Sequence, residues 1–358
     1  MNILITGAGG PTPRSIARAL RTYGGYKKPY RLIAADADPH AIGLYLPDLF
    51  DRSYLVPEAV HPDYWPVLNA IIADEQIDCA IISPELEVLE WAQKSKEGPA
   101  PCKAILPDYQ LARRLVNKSF LTHALAPYGL APKSFTINEV DAGQLKDSDL
   151  PYPFWVRATT GSSGMGSLMV HSADELKNWV RMNPGIEKFL ASEYLPGRNL
   201  ACKLLYHRGE LIRSAVGQRV EYIMAKVAPS GITGNTSFGR LINDPGVFQV
   251  ARRAMDILME KTQSEKHGFF TVDLKEDPQG VPKVTEVNIR AVAFVGCFAA
   301  AGANFAEDMI RLLDGDSAFD YNFRLYEFEP GTIFLRDVDE QPVLLREDQM
   351  MKLFHREK

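Results

Sequence analysis

Apolar residues in the first third of the chain form short continuous runs that alternate with longer amphipathic stretches. Short apolar runs bounded by turn residues are typical of buried strands, and apolar residues spaced three and four apart indicate helices. Helices are predicted around residues 13–23, 62–74 and 85–94. The predicted strands are Asn2–Thr6, Arg31–Asp36, Arg52–Val56, Asp78–Ser83 and Lys103–Leu106. This alternation of strands and helices predicts a Rossmann-like, doubly wound parallel sheet.

Beyond Leu106 the pattern becomes richer in strands. Ser172 and Glu175 form a capping-box sequence, which predicts a helix that begins there and ends near Arg181. The other predicted elements are strands at Leu200–Tyr206 and Glu210–Val216, a loop over residues 218–240, a helix at Val247–Thr262 and a small β unit from Phe319 onwards. The chain is therefore predicted to combine an α/β part with an α+β part.

Residues 268–290 predict a β-hairpin, because two alternating runs flank the turn sequence Asp277–Gly280. Side chains alternate across a strand. Glu286, Asn288 and Arg290 are therefore expected to share one face of the second strand.

An acidic residue on the first strand completes this face. If Glu276 pairs with Val281, Asp273 lies opposite Val284 and diagonal to Glu286, at about 7–8 Å. Carboxylates at that separation can share a hard cation, and Mg²⁺ binds oxygen ligands at about 2.0–2.1 Å. The predicted metal ligands are Asp273, Glu286 and Asn288. The alternative is the solvated face of an ordinary hairpin.

Three segments upstream of the hairpin add lysine, arginine or glycine residues at the edges of predicted elements. They are Asn117–Phe120, Pro153–Arg157 with the following Gly161–Ser167, and Ser192–Gly197. Together with the hairpin, these segments resemble the ATP-grasp superfamily in motif, order and spacing, over about residues 110–310. Arginine at position 157, where most members have lysine, is similar to the large chain of carbamoyl-phosphate synthetase and its relatives.

The resemblance implies a site for ATP and Mg²⁺, with Mn²⁺ as the alternative metal. Basic side chains would neutralise phosphate oxygens, backbone N–H groups of the glycine-rich loop would hold the terminal phosphates, and the hinge backbone would hold adenine. The implied nucleotide-binding residues are Lys118, Arg157, Gly161, Ser162, Ser163, Gly164, Glu193, Tyr194 and Leu195. Arg157 and Arg290 are the implied catalytic residues, with Arg290 on the acceptor carboxylate or the transferring phosphoryl group. Asn199 stands where many members have a ribose-binding glutamate.

The activity implied by the resemblance is that of an ATP-dependent ligase. Such an enzyme activates a small-molecule carboxylate as an acyl phosphate, which an amine, a thiol or another nucleophile captures. A phosphotransferase and a non-catalytic nucleotide- or metabolite-binding regulator remain as alternatives. The predicted domains are a Rossmann-like domain over residues 1–107, two ATP-grasp subdomains over 108–190 and 191–318, and a C-terminal β appendage over 319–358.

The sequence G-A-G-G-P-T at residues 7–12, with Asp36 at the end of the second strand, partly matches a dinucleotide-binding fingerprint. A threonine replaces the third glycine, and Pro11 and Pro13 remove N–H donors near the helix start. NAD binding is therefore not expected. Ser83–Glu85, at another strand end, is predicted to form a wall of a substrate pocket, although Glu85 also suits the N-terminus of a helix.

A net charge of −5 and a pI near 5.9 give no electrostatic footprint for nucleic acid or an anionic membrane. The four cysteines lie far apart in the sequence, which indicates reduced thiols and a cytoplasmic protein. The N-terminus lacks the features of a signal peptide, and Ala291–Ala306 is too short to span a membrane. The expected partners are small molecules, and the oligomeric state stays open, a homodimer included.

Overall fold

A computed structural model of the protein describes residues 1–138, 145, 149–161, 164–337, 343–346 and 348. Within these residues the chain forms three β-sheets, with α-helices packed against them. The first sheet is parallel and the other two are predominantly antiparallel. The mixed α/β and α+β architecture predicted from the sequence is confirmed, whereas the exact domain limits stay a prediction.

The parallel sheet has the strand order β3-β2-β1-β4-β5, which confirms the predicted doubly wound topology. Its strands are β1 Asn2–Thr6, β2 Arg31–Asp36, β3 Arg52–Leu55, β4 Cys79–Ile81 and β5 Lys103–Ala104, and its helices are α1 Pro11–Tyr23, α2 Tyr64–Asp74 and α3 Glu85–Glu97. β4 is shorter than predicted. The Ser83 N–H donates to the Thr6 hydroxyl at 3.3 Å, so the chain has left the strand ladder by that point.

The second sheet has four antiparallel strands in the order β6-β9-β7-β8. Its strands are β6 Ser134–Ile137, β7 Phe154–Ala158, β8 Leu168–Val170 and β9 Phe189–Glu193, and the nearby helices are α4 Tyr109–Leu115, α5 Lys118–Leu125 and α6 Ala173–Met182. The capping box at α6 is present, because the Ser172 hydroxyl accepts from the Glu175 N–H at 3.2 Å. The Glu175 carboxylate accepts from the His171 N–H, one residue earlier than the predicted pattern requires.

The third and largest sheet has the order β14-β13-β10-β11-β12-β16-β17, with β15 beside β11. Its strands are β10 Asn199–His207, β11 Glu210–Tyr222, β12 Thr236–Ile242, β13 Gly268–Glu276, β14 Pro282–Asn288, β15 Arg324–Leu325, β16 Thr332–Leu335 and β17 Val343–Arg346. Its helices are α7 Pro245–Thr262, α8 Val295–Ala300 and α9 Phe305–Asp314. β16 and β17 extend the edge of this sheet beyond β12.

The predicted loop over residues 218–240 is wrong at both ends. β11 continues to Tyr222 and β12 begins at Thr236, so the connecting loop spans residues 223–235. Arg219 lies inside β11, where it is only 7% exposed. A buried charged residue breaks the local strand pattern, and its partner lies on a distant strand, so the sequence pattern alone suggested a loop.

Two hydrophobic clusters join the parallel sheet to the largest sheet. One contains Leu4 and Ile33 together with Phe270 and Met255, and the other contains Ile3 together with Phe298 and further residues of α8 and α9. The two sheets therefore share continuous apolar cores, which fix the carboxyl ends of the parallel strands beside the largest sheet. In the described part of the chain, no helix is both long enough and apolar enough to cross a membrane. The four cysteines are free.

Candidate active site

A cavity of about 970 Å³ lies where the three sheets meet. Gly7 and Asp36 contribute to its wall from the parallel sheet, Arg157 from the second sheet, and Asp273 and Glu286 from the largest sheet. A cavity of this size, with a few polar groups converging on it, is the usual form of a small-molecule site.

The hairpin pairing differs from the predicted register. Asp273 lies directly opposite Glu286, and not opposite Val284 as predicted. A bulge between Asp273 and Leu274 accommodates Thr285 as an extra residue, and its hydroxyl donates to the Asp273 carbonyl at 3.1 Å. Directly paired residues have Cβ atoms about 4.5–5.5 Å apart, closer than a diagonal pair. The bulge therefore brings the two carboxylates nearer to each other than the regular hairpin would.

Asp273 is held from two sides. Its Oδ1 accepts from Arg219 Nη2 at 2.7 Å, and its Oδ2 accepts from the Asn288 side-chain amide at 3.0 Å. Burial raises the pKa of Asp273, the Arg219 guanidinium lowers it, and the neighbouring Glu286 raises it. Arg219 is a site residue that the sequence reasoning missed. The signal that could have found it is the continuation of strand-forming residues through Val220 and Tyr222.

The donor set at the hairpin suits a hard divalent cation. Asp273 and Glu286 supply carboxylate oxygens, and the Asn288 amide donates through nitrogen to Asp273, which leaves its oxygen for a further contact. No cluster of three His, Cys, Asp or Glu residues occurs among the described residues, so a cation here would depend on Asn288 as the third ligand. The predicted metal ligands thus lie together, with the chemistry that Mg²⁺ prefers.

Two cations, buried Lys118 and partly buried Arg157, face Glu286. Lys118, at the start of α5, lies 3.5 Å from Glu286 Oε1 and donates to the Gly161 carbonyl at 2.5 Å. Arg157 on β7 lies 4.0 Å from Glu286 Oε2 and donates to the Thr285 carbonyl. Its Nε has no hydrogen-bond partner among the described residues, and burial lowers its pKa while Glu286 and Asp273 raise it. Buried cations with a spare donor are well suited to an anionic ligand.

The glycine-rich loop reaches across the cavity. Gly161 and Gly164 have φ angles of +92° and +74°, a region that L-residues with a Cβ seldom adopt. A Cβ on Gly164 would lie 2.3 Å from the carbonyl oxygen of Ile232, in the loop over residues 223–235. The two loops therefore touch through their backbones. Ser162 and Ser163, also predicted to bind nucleotide, lie outside the residues that the structure describes.

Replacing Gly164 with alanine is expected to destabilise the protein by more than the conformational cost of about 1–2 kcal/mol alone, because the methyl group also meets the Ile232 carbonyl. Gly231→Ala is the matched control, since Gly231 has a φ of +70° but no atom within 4 Å of an added Cβ. Urea denaturation of both variants measures the difference. Equal losses of stability would show that the two loops do not constrain each other.

The predicted hinge connects the second sheet to the largest one. Glu193, Tyr194 and Leu195 line the cavity, and the Glu193 N–H donates to the Lys133 carbonyl at 2.9 Å. At the other end, the Gly197 N–H donates to the Glu276 carbonyl at 3.0 Å. The segment is therefore held next to β6 at one end and by β13 at the other.

Two further side chains define the polar edge of the cavity. Asn199 occupies the position where the family resemblance implies a ribose-binding glutamate. Its side-chain oxygen accepts from Lys275 Nζ at 3.2 Å, and both residues line the cavity. Arg290 follows β14, donates to the Ala291 carbonyl, and has an Nε without a partner in the described part of the chain. Burial lowers the pKa of Arg290, whereas the nearby carboxylates of Glu85 and Glu286 raise it.

The fold is similar to that of solved structures of ATP-grasp enzymes. An L-amino acid ligase from Bacillus licheniformis superimposes with a TM-score of 0.66 at 16% identity, over 93% of this chain and 78% of the ligase. An N5-carboxyaminoimidazole synthetase from Staphylococcus aureus complexed with ADP has a TM-score of 0.70 at 14% identity, over 93% of this chain and 81% of the synthetase. A biotin carboxylase–β,γ-ATP complex from Campylobacter jejuni has a TM-score of 0.65 at 17% identity, over 94% of this chain and 75% of the carboxylase.

Comparison by sequence gives no match to any family model. It gives no match to any curated protein either. The relationship to ATP-grasp enzymes is therefore one of fold.

Proposed function

We propose that the protein is an ATP-dependent ligase that activates a small-molecule carboxylate as an acyl phosphate, which an amine captures. The observation that carries this proposal is the placement of the acidic hairpin face beside Lys118 and Arg157 in one cavity. The likeness in fold to an L-amino acid ligase, and to structures that hold ADP or an ATP compound, supports it.

ATP would bind between the second sheet and the largest sheet. Lys118 and Arg157 would neutralise phosphate oxygens, and the spare Nε of Arg157 offers a donor that needs an acceptor. The backbone of residues 161–164, with Ser162 and Ser163 included in the proposal, would hold the terminal phosphates. Glu193, Tyr194 and Leu195 would border the adenine.

Asp273, Glu286 and Asn288 would hold Mg²⁺, with Mn²⁺ as a substitute. A divalent cation bound at this position neutralises negative charge on the phosphates. Arg219 fixes the orientation of the Asp273 carboxylate, and the bulge at Thr285 sets its distance from Glu286.

In the proposed reaction, an oxygen of the acceptor carboxylate attacks the γ-phosphorus of ATP, and the bond to the leaving ADP breaks. The amine then attacks the acyl carbon, and inorganic phosphate leaves with the C–O electron pair. Arg290 would hold the acceptor carboxylate with its buried guanidinium, whose Nε is a spare donor. The glycine-rich loop, which touches the loop over residues 223–235, would exclude water from the acyl phosphate.

Mg²⁺–ATP is expected to stabilise the folded protein, whereas NAD(H) is not. The Asp36 carboxylate, which would bind ribose in a dinucleotide site, already accepts from the Gly9 and Asp38 N–H groups. A ligand at 100 times its dissociation constant adds about 2.7 kcal/mol to the free energy of unfolding. A thermal-shift series with Mg²⁺–ATP, ATP plus chelator and NADH measures this. Stabilisation by NADH and not by Mg²⁺–ATP would contradict the proposed site.

The substrates are best sought by measuring ADP release in the presence of a metabolite library, with mass spectrometry of the products. A coupled product containing both substrates supports a ligase. A phosphorylated acceptor that accumulates in the presence of amines indicates a phosphotransferase instead. Nucleotide binding with no ADP release for any member of the library indicates a non-catalytic regulator.

A further inference from the structure

Two buried polar atoms in the parallel-sheet part of the cavity have no hydrogen-bond partner among the described residues. They are Oγ of Ser83, just after β4, and Oε2 of Glu87, in the first turn of α3. Ser83 is 4% exposed and Glu87 is 6% exposed, and both line the cavity. Buried polar atoms are nearly always hydrogen-bonded, so each unpartnered one requires an explanation.

The Glu87 carboxylate is held in place by its other contacts. It forms side-chain hydrogen bonds with Thr6 and Tyr64, and the Tyr64 hydroxyl accepts from Trp91 Nε1 at 2.9 Å. Burial raises the pKa of Glu87 to about 7, the bonds from Thr6 and Tyr64 lower it, and Asp36 raises it. A rigid carboxylate with one free oxygen in a cavity presents a prearranged acceptor to a ligand.

The parallel-sheet part of the cavity wall carries no basic residue among those described. Every charged residue that lines the cavity from residues 1–107 is acidic: Asp36, Glu58 and Glu87. The later part of the chain contributes both basic lining residues (Lys118, Arg157, Arg219, Lys275 and Arg290) and acidic ones (Glu193, Asp273 and Glu286). A cation is therefore favoured beside the parallel sheet, where no basic side chain of the lining competes with it.

We propose that Glu87 and Ser83 form a subsite for the ammonium group of a small amine-bearing substrate. An ammonium group has three donors and no acceptor, so it can bond to Glu87 Oε2 and Ser83 Oγ together. Hydrogen bonds between a cation and a carboxylate are stronger than neutral ones. The inference rests on the proposed ligase function, in which this molecule is the nucleophile. The bound ammonium group passes one proton to Glu87 Oε2 and becomes the amine, and the departing phosphate takes the second proton when the C–N bond forms.

The test compares amines with analogues in which a hydroxyl replaces the amino group. The probes are L-alanine with L-lactate, L-phenylalanine with L-3-phenyllactate, and ethanolamine with ethylene glycol. Binding to the full chain is measured by calorimetry and thermal shift without ATP. At least one amine is expected to bind about tenfold more tightly than its hydroxyl analogue, because a charge-assisted hydrogen bond is stronger than a neutral one.

Glu87→Gln keeps the side-chain volume, and we expect it to remove this preference while leaving the affinity for the hydroxyl analogue within about twofold. Glu58→Gln is the matched control, because Glu58 lines the same wall but is exposed, and it should keep the preference. Should Glu87→Gln fail to fold, Ser83→Ala tests the second contact and should weaken amine binding by about threefold or more.

An equal affinity of each amine and its hydroxyl analogue, or an unchanged preference in Glu87→Gln, overturns the subsite. Mg²⁺–ATP-dependent ADP release is followed separately, so the two proposals can fail independently. Selective amine binding without ADP release for any carboxylate supports the subsite and argues against the ligase. ADP release without any amine preference supports the ligase and overturns the subsite.

Discussion

Replacing Glu286 with glutamine is expected to lower the rate of ADP release by about 10²–10³, or roughly 3–4 kcal/mol of transition-state stabilisation. Glutamine keeps the volume and one acceptor oxygen but removes a negative charge from the pair that Glu286 forms with Asp273. The cation that bridges the phosphates would then be held poorly. We expect little change in the melting temperature, because the substitution weakens the contacts with Lys118 and Arg157 but also removes the repulsion between Glu286 and Asp273.

Glu221→Gln provides the control for this experiment. Glu221 is exposed and lies on β11 of the same sheet, so its neutralisation should leave the rate within about a factor of two. Steady-state ADP release by the purified variants gives the comparison. A Glu286→Gln enzyme with wild-type turnover at an unchanged melting temperature would refute the assignment of the metal site.

Arg219→Met is expected to reduce the free energy of unfolding by about 3 kcal/mol, since removing one partner of a buried ion pair leaves the other charge uncompensated. Arg219 and Asp273 are 8% and 19% exposed in their side chains, and their contact of 2.7 Å is short. Breaking a buried ion pair usually costs about 3–5 kcal/mol of unfolding free energy. We expect the lower value here because the Asp273 carboxylate keeps some access to solvent. Urea denaturation measures it.

Adding Asp273→Asn to Arg219→Met should recover part of the lost stability, because the uncompensated charge is removed with its partner. Arg252→Met is the matched control. Arg252 pairs with Asp256 on the exposed side of α7, with side chains 52% and 36% exposed, and its loss should cost no more than about 0.5 kcal/mol. Similar effects of Arg219→Met and Arg252→Met would mean that the buried pair does not stabilise the sheet.

Local sequence patterns were sufficient for the centre of the parallel sheet, because β1, β2 and β4 are short, mostly buried apolar runs. The same reasoning placed Glu286 and Asn288 on one face of β14, since alternation is a property of the strand itself. Arg290 also lines the cavity, but it lies beyond the end of β14. This reasoning did not give the pairing of Asp273 with Glu286. The bulge at Thr285 moves the register, and nothing in the strand composition marks which residue is the extra one.

The partner of Arg219 could not be found in this way either. Arg219 and Asp273 are 54 residues apart in the sequence, and they meet because β11 and β13 both lie beside β10. The unpartnered oxygen of Glu87 is likewise a property of three-dimensional packing, since Thr6 and Tyr64 reach the same carboxylate from other elements. Sequence predicts which side chains face one way on a strand, whereas sheet order decides which of them meet.

The contacts of Glu286 with Lys118 and Arg157 bear on binding cooperativity. In these contacts the carboxylate and the two cations offset one another's charge. In the proposed function, a cation at Glu286 would free Lys118 and Arg157 for phosphate, and phosphate at Lys118 and Arg157 would free Glu286 for a cation. The affinities for metal and nucleotide would then be linked, and by thermodynamic reciprocity each would raise the other by the same factor.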